Sequence, residues 1–287
     1  MPDKLLEGKN VFITGAGANI GRAIALEMAA QGAHIFFADK NAALTEKLEL
    51  ELRASGTSVR GFVCDTSKIA ALESIIGQLT EQGVTVDVLV NNVGVTVSYP
   101  ETTPETFELW QRAMDTNVLA PLYLSRLVAQ TMIEAGVAGS MVFITSIHQE
   151  VYFGGQIYSA TKASLGMVIE ELAVSLAPHG IRVNGIAPGH CREDEDGRAL
   201  REANTPLHHE RVRPCYIGRA AVFLASDYFS HHTTGAMLRI DGGLSLYAYT
   251  NRELISASAP PLPKAPLTER VRRRLGKIGQ TARSLFP

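Results

Sequence analysis

Apolar residues are spaced along this 287-residue chain in two alternating periods. Short runs rich in β-branched residues at 11–13, 34–38, 58–64 and 86–91 are separated by stretches at 20–31, 42–54 and 69–82, where apolar residues recur every three or four positions. The second half keeps the alternation, with helical period at 119–134, a strand at 140–145, helical period at 156–176, a strand at 181–186, a helix at 217–225 and a last strand at 236–240. The strand runs are continuously apolar, which marks strands covered on both faces. Their alternation with helices predicts an α/β fold, a doubly wound parallel sheet with helices on both sides.

No internal repeat or Gly/Ser linker interrupts this pattern, so residues 1–246 are expected to form a single domain and residues 247–287 a C-terminal extension. The extension contains the Pro-rich stretch APPLPKAP at 259–266, the composition of an extended linker. With 46% hydrophobic and 20% charged residues, the chain falls outside the collagen-like and low-complexity classes. Its net charge of −2 conceals an asymmetry: residues 264–287 carry seven Lys and Arg against one Glu, a surplus of +6 that leaves −8 on the rest. An acidic body argues against a nucleic-acid binder. In the basic tail, Leu267, Val271, Leu275, Ile278, Ala282 and Leu285 form one apolar stripe at helical spacing, weakened as a helix by Gly276 and Gly279. Such a tail is expected to order by docking on its own or a neighbouring subunit, with an anionic membrane as the lesser alternative. Cys64, Cys191 and Cys215 are odd in number and lack zinc-ligand spacing, and no 18-residue apolar span or secretory leader stands out. A cytoplasmic protein is expected.

The first strand runs into Thr14-Gly15-Ala16-Gly17-Ala18-Asn19-Ile20-Gly21. Glycines there permit a tight turn, and the following helix start offers free N–H groups and a positive dipole end to a pyrophosphate. Asp39 ends the second strand, 24 residues after Gly15, where a carboxylate would receive the adenosine ribose hydroxyls and repel a 2′-phosphate. NAD is thereby favoured over NADP, with Lys40 alongside as a partial counter-charge.

Tyr158 and Lys162 stand four apart in a predicted helix and share a face. In isolation such a pair is common on helices; its company gives it weight. For tyrosine to act as a base near neutrality, its pKa must fall from about 10 to about 7, which takes roughly 4 kcal/mol. A cation about 4 Å away at an effective dielectric near 20 supplies about that much. Lys162 is therefore expected to lower Tyr158. Ser146 ends the strand at 140–145 and puts a hydroxyl at the carboxyl edge of the sheet, where ligands of such folds bind. The adjacent pairs His208-His209 and His231-His232 cannot each turn both rings to one ion from regular structure, and no metal is expected.

With these pieces in order, residues 8–246 resemble the short-chain dehydrogenase/reductase family. The matches are TGAGANIG at 14–21, Asp39, the Asp65-Thr66-Ser67 turn, Asn91-Asn92-Val93-Gly94 at a strand end, Asn117, Ser146, the Tyr158-Ser-Ala-Thr-Lys162 motif, Asn184 through Pro188-Gly189, and Asp241-Gly242-Gly243. The resemblance implies a Rossmann-like domain that holds its cofactor through Gly15, Gly17, Asn19, Ile20, Gly21, Asp39, Asp65, Thr66, Asn92, Gly94, Tyr158, Lys162, Pro188 and Gly189. It also implies hydride transfer between NAD(H) and a secondary alcohol or ketone, with Tyr158 as general acid/base. By the same resemblance Lys162 lowers the Tyr158 pKa and binds the nicotinamide ribose, Ser146 hydrogen-bonds the substrate oxygen, and Asn117 holds a proton-relaying water. A homotetramer or dimer built on equivalent long helices and final strands is implied as well.

Three features depart from the family pattern. Asn19 stands where the second glycine usually sits, although Asn tolerates positive φ. Ser146 and Tyr158 are 12 residues apart, one fewer than usual, so the loop at 148–157 is tight; with residues 95–99 it is expected to line the substrate pocket. His190-Cys191-Arg192 follows Pro188-Gly189 in place of the usual hydrophobic residue and threonine, so the usual carboxamide contact does not carry over. The acidic run at 193–196 reads as a solvated face, with a cationic substrate as the alternative. Asn19 and the Pro-Gly sequel suggest a second function, a non-catalytic dinucleotide-binding sensor or scaffold. The intact set Asn117, Ser146, Tyr158 and Lys162 argues against it.

Overall fold

The computed structural model describes residues 3–96, 106–151, 155–192, 200 and 205–246. The acidic run at 193–196, residues 97–99 and 152–154 of the expected pocket lining and the tail from 247 onward lie outside the described residues. Met1–Tyr247 forms one compact unit.

Its strands are β1 (Asn10–Thr14), β2 (His34–Asp39), β3 (Val59–Val63), β4 (Val88–Asn91), β5 (Ser140–Ile144), β6 (Arg182–Pro188) and β7 (Met237–Ile240). All pair in parallel, in one sheet of order β3-β2-β1-β4-β5-β6-β7. The helices are α1 (Asn19–Ala30), α2 (Ala42–Ala54), α3 (Ile69–Glu81), α4 (Thr106–Met114), α5 (Ala120–Glu134), α6 (Gln156–Leu176), α7 (Pro214–Ala225) and the short α8 (Asp227–Ser230).

The sheet separates two cores, and alternate residues of one strand enter different ones. Val11 and Ile13 join Ile24 and Met28 of α1, Leu48 of α2 and Ile217 of α7. Phe12 between them joins Leu72 of α3, Leu124 of α5 and Ile169 of α6. Both faces are therefore dry, which is why the strand runs are continuously apolar. Fully burying a side chain such as Phe12 contributes about 1.5–3 kcal/mol. Strand order reverses where β1 pairs with β2 on one side and β4 on the other, so a crevice opens at the carboxyl ends of β1 and β4.

The predicted strands and helices are all present, the helix expected at 119–134 as α5, while α4 and α8 are additional. From Thr106 the helical backbone passes through a π-turn, Asp115–Leu119, into α5. Phe107 of α4 is 74% exposed, so the apolar positions there do not all mark a buried face and the period is blurred. Pro121, in the first turn of α5, has no N–H to give the Asn117 carbonyl four residues back, which is a local reason for the widened turn.

Candidate active site

The turn between β1 and α1 is tied to the end of β4. Asn92 donates from its side chain to the carbonyls of Thr14 and Gly15 at 3.0 and 2.9 Å, and its backbone N–H donates to Thr14 Oγ1 at 3.0 Å. Gly15 has φ +68, and a Cβ there would lie 2.8 Å from a Val93 methyl. A Cβ on Gly21 would collide with the Gly15 carbonyl and come within 2.6 Å of Asn92 Nδ2. Asn19 takes φ 50, so the departure from glycine is accommodated in the left-handed region. Helix α1 starts without a side-chain cap, with its first turn open to an anion. This is a cradle that a dinucleotide phosphate fits.

Asp39 was expected to face a ribose. In the structure its Oδ2 accepts the Gly17 N–H and its Oδ1 the Asn41 N–H, each at 2.9 Å, so the carboxylate also fastens the glycine turn to the end of β2. Each oxygen keeps acceptor capacity for a hydroxyl. Asp39 borders a cavity of about 240 Å³ that also touches Gly15, Asp65, Thr66, Asn92 and Gly94. Asp65 is held below the usual carboxylate range chiefly by the Ser67 backbone N–H. Lys40, Cys64, Arg112 and Thr116 share that lining. Arg112 comes from α4 and Thr116 from the π-turn after it, neither of which the apolar period marks. Gly17, Asn19, Ile20 and Gly21 belong to the turn and helix start beside this cavity, not to its lining. Pro188 and Gly189 lie at the end of β6, where Gly189 passes so near Asp241 that a Cβ would meet its Cα at 2.8 Å.

The residues expected to do chemistry converge. Ser146 follows β5, Tyr158 and Lys162 lie in the first turns of α6, and Asn117 sits in the π-turn. The Ser146 hydroxyl hydrogen-bonds with the Tyr158 phenol. Lys162 Nζ lies 5.6 Å from the centre of the Tyr158 ring and donates to the Ile144 carbonyl at 2.8 Å. Gly94 links this cluster to the cavity, since a Cβ on it would stand 3.1 Å from Lys162 Nζ. Asn117 is fully buried: its Oδ1 accepts the Val95 N–H at 2.8 Å, and its Nδ2 donates to the Val95 carbonyl and to Thr161 Oγ1, each at 3.0 Å. Thr161 in turn donates to the Tyr158 carbonyl at 2.8 Å. This anchoring role for Thr161, the fourth residue of the Tyr-to-Lys motif, had no signal in the sequence.

Burial raises the Tyr158 phenol above its ordinary value, against the opposing effect of the Ser146 hydroxyl, with Lys162 beside its ring. The ammonium is itself fully buried, is pushed down to about 8, and is turned onto the Ile144 carbonyl. Both amide protons of Asn117 are committed, while its Oδ1, which accepts one hydrogen bond, keeps a second lone pair.

His190 stands exposed after Gly189, and Cys191 and Arg192 run beside Val212, with the Arg192 N–H donating to its carbonyl at 3.2 Å. Among the described residues, no three His, Cys, Asp or Glu side chains are placed to share a metal ion. The three cysteines are free thiols, and no helix among the described residues is long and apolar enough to cross a membrane.

A doubly wound sheet with a phosphate cradle at its switch point and a Ser–Tyr–Lys cluster beside it is the architecture of a dinucleotide-dependent oxidoreductase. Known proteins agree. The family model described as Enoyl-(Acyl carrier protein) reductase matches residues 15–245. The 2-dehydro-3-deoxy-D-gluconate 5-dehydrogenase of Pseudoalteromonas atlantica is 33% identical over 251 residues, covering 83% of this chain and 96% of its own. The L-rhamnose 1-dehydrogenase (NAD(P)(+)) of Azotobacter vinelandii is 33% identical over 255 residues, 84% of this chain and 98% of its own. A solved 7α-hydroxysteroid dehydrogenase, in complex with NADH and 7-oxo glycochenodeoxycholic acid, superposes with TM-score 0.75 and 32% identity over 83% of this chain and 94% of that one. The chain belongs to the short-chain dehydrogenase/reductase family and is an oxidoreductase of CH–OH groups.

Proposed function

We propose that this protein interconverts a secondary alcohol and a ketone with NAD(H), and that Tyr158 is the general acid/base. The observation that carries the reading is the Tyr158 phenol hydrogen-bonded to Ser146, with the buried Lys162 ammonium beside its ring. A bound nicotinamide supplies or accepts the hydride. The chain's own residues handle the rest. Ser146 orients the substrate oxygen toward the phenol, and Tyr158 passes a proton to or from that oxygen. Because burial holds Tyr158 above its ordinary value, the phenol is protonated near neutrality, which suits ketone reduction; alcohol oxidation calls for alkaline pH. We assign nicotinamide-ribose binding to Lys162, a reading supported by its nearness to Gly94 and to the Tyr158 ring. We assign the proton-relaying water to Asn117, whose side chain also holds Val95 in place.

Asp39 supports NAD over NADP, since a carboxylate at the ribose position repels a second phosphate. The relatives act on sugar acids, sugars and hydroxysteroids by name, so a polyhydroxylated or alicyclic secondary alcohol is the substrate class we favour. Equivalent long helices and final strands are the surfaces we assign to a homotetramer, and free thiols fit a cytoplasmic setting. We also read residues 1–246 as the catalytic domain and the remainder as an appendage.

The test is absorbance at 340 nm with NADH or NAD+ and a panel of aldonates and ketoaldonates, L-rhamnose, D-glucose and hydroxy- and oxosteroids, for the wild type and Tyr158→Phe. Turnover that the substitution reduces by 10²-fold or more supports the reading. NADH binding without turnover across the panel would instead favour the sensor or scaffold. One motive for that alternative is weakened already, because Asn19 fits the turn at φ 50.

A further inference from the structure

Beyond the residues assigned above, the side chain most closely joined to the reacting pair among the described residues is His148. It lies in the 3-10 turn Ile147–Gln149 that follows β5, two residues after Ser146. Its backbone N–H donates to Ser146 Oγ at 3.2 Å, which uses one lone pair of the hydroxyl and leaves the hydroxyl proton for Tyr158. Its ring meets the Tyr158 ring edge-on, with centroids 5.1 Å apart and planes at 79°. Its Nδ1 shares a 3.1 Å hydrogen bond with the hydroxyl of Ser159, the residue after Tyr158 on α6. Burial, reinforced by the nearby His190, pushes the imidazole below its ordinary value, so the ring is neutral near pH 7 and offers one donor and one acceptor.

We propose that His148 is a positioning residue for proton transfer, fastening the turn that bears Ser146 to the helix that bears Tyr158. The proposal rests on the function given above. Ser146 and Tyr158 belong to different elements joined by a loop, so the geometry of their hydrogen bond depends on how firmly those elements are held together. One imidazole spans the gap: its ring abuts the phenol ring, and its Nδ1 reaches the next residue of α6. Slack of even 1 Å at a proton-transfer contact costs up to about 10²-fold in rate. His148 itself need not touch the substrate to have this effect.

The decisive variants are His148→Phe, which keeps the ring and removes its nitrogens; His148→Asn, which returns an amide near the Nδ1 position; Ser159→Ala; and the double variant His148→Phe/Ser159→Ala. One readout is the ultraviolet titration of the Tyr158 phenolate, taken as the difference from Tyr158→Phe, which needs no substrate. The other is kcat and KM with the most rapidly converted compound of the panel, beside NADH affinity by fluorescence. The expected result is that His148→Phe and Ser159→Ala each lower kcat about five- to tenfold with NADH affinity unchanged. Each also raises the Tyr158 titration by about half a pH unit as donation from Ser146 weakens, the double variant is no worse than either, and His148→Asn recovers much of the loss. An unmoved Tyr158 titration, or losses that add in the double variant, would overturn the proposal. A wild type that turns over nothing in the panel counts against the function instead, and the phenolate titration then judges the positioning role by itself.

Discussion

The Lys162 ammonium donates to the Ile144 carbonyl at 2.8 Å from a side chain only 2% exposed. Burial pushes its pKa down to about 8 from an ordinary value of 10.5. Below pH 8 the lysine is protonated in both folded and unfolded chains. Between about 8 and 10.5 the folded chain has released the proton while the unfolded chain still binds it, so stability rises with pH across that window. Tyr158, raised by burial, acts with the opposite sign only above the ordinary tyrosine range near 10. Urea unfolding between pH 8 and 10 should therefore show a gain on the order of 2 kcal/mol in the wild type relative to Lys162→Met. Parallel stability curves for the two proteins would count against the buried ammonium.

Ser146 bears on the pH dependence of the rate. Its hydroxyl donates to Tyr158 and so favours the phenolate, against the burial that disfavours it. Alcohol oxidation needs the phenolate, so its kcat/KM should rise with pH through the Tyr158 titration. Ser146→Ala removes the favouring hydrogen bond, and the rising limb should move to more alkaline pH by about half to one unit. A limb that stays in place while the plateau falls would mean that Ser146 acts on the substrate alone.

Much of this arrangement is legible in the sequence, and the unreadable parts have one cause. Continuous apolar runs identify the strands because a doubly covered strand such as β1 buries Val11, Phe12 and Ile13 alike. Four-residue spacing puts Tyr158 and Lys162 on one face of α6, and the strand end places Ser146. What Lys162 does with its charge is different: its partner Ile144 lies 18 residues back on β5, and no local pattern records that burial will turn the ammonium onto a carbonyl. The same holds for His148, whose contact with Tyr158 and Ser159 exists only once a turn and a helix have packed. Helix α4 was missed for a related reason, as an exposed Phe107 carries no information about which face is buried.

Asp39 should control cofactor choice. Its carboxylate lines the cavity and holds the Gly17 N–H at 2.9 Å, so replacing it tests charge and turn support together. Asp39→Asn keeps an acceptor oxygen for Gly17 and removes the negative charge. We expect kcat/KM for NADP to rise relative to NAD by about 10- to 100-fold, the worth of one close charge repulsion in a partly solvated site. An unchanged ratio with lower activity on both cofactors would assign Asp39 to holding the turn alone.

In the glycine turn, two neighbouring substitutions should move cofactor binding in opposite directions. Asn19 holds φ 50 with an exposed side chain, so Asn19→Gly keeps the backbone and clears space beside the phosphate cradle. Gly21 is packed so closely that a Cβ would collide with the Gly15 carbonyl and crowd Asn92 Nδ2, the group that ties the turn to β4. Gly21→Ala should accordingly cost about 1–3 kcal/mol of stability and weaken NADH binding steeply, because the atoms it displaces are the ones that shape the cradle. Asn19→Gly should change stability by less than about 1 kcal/mol and tighten NADH binding severalfold. Thermal denaturation with and without NADH, together with fluorescence titration of both variants, separates the two effects. Tighter binding in Gly21→Ala, or weaker binding in Asn19→Gly, would place the pyrophosphate elsewhere than over this turn.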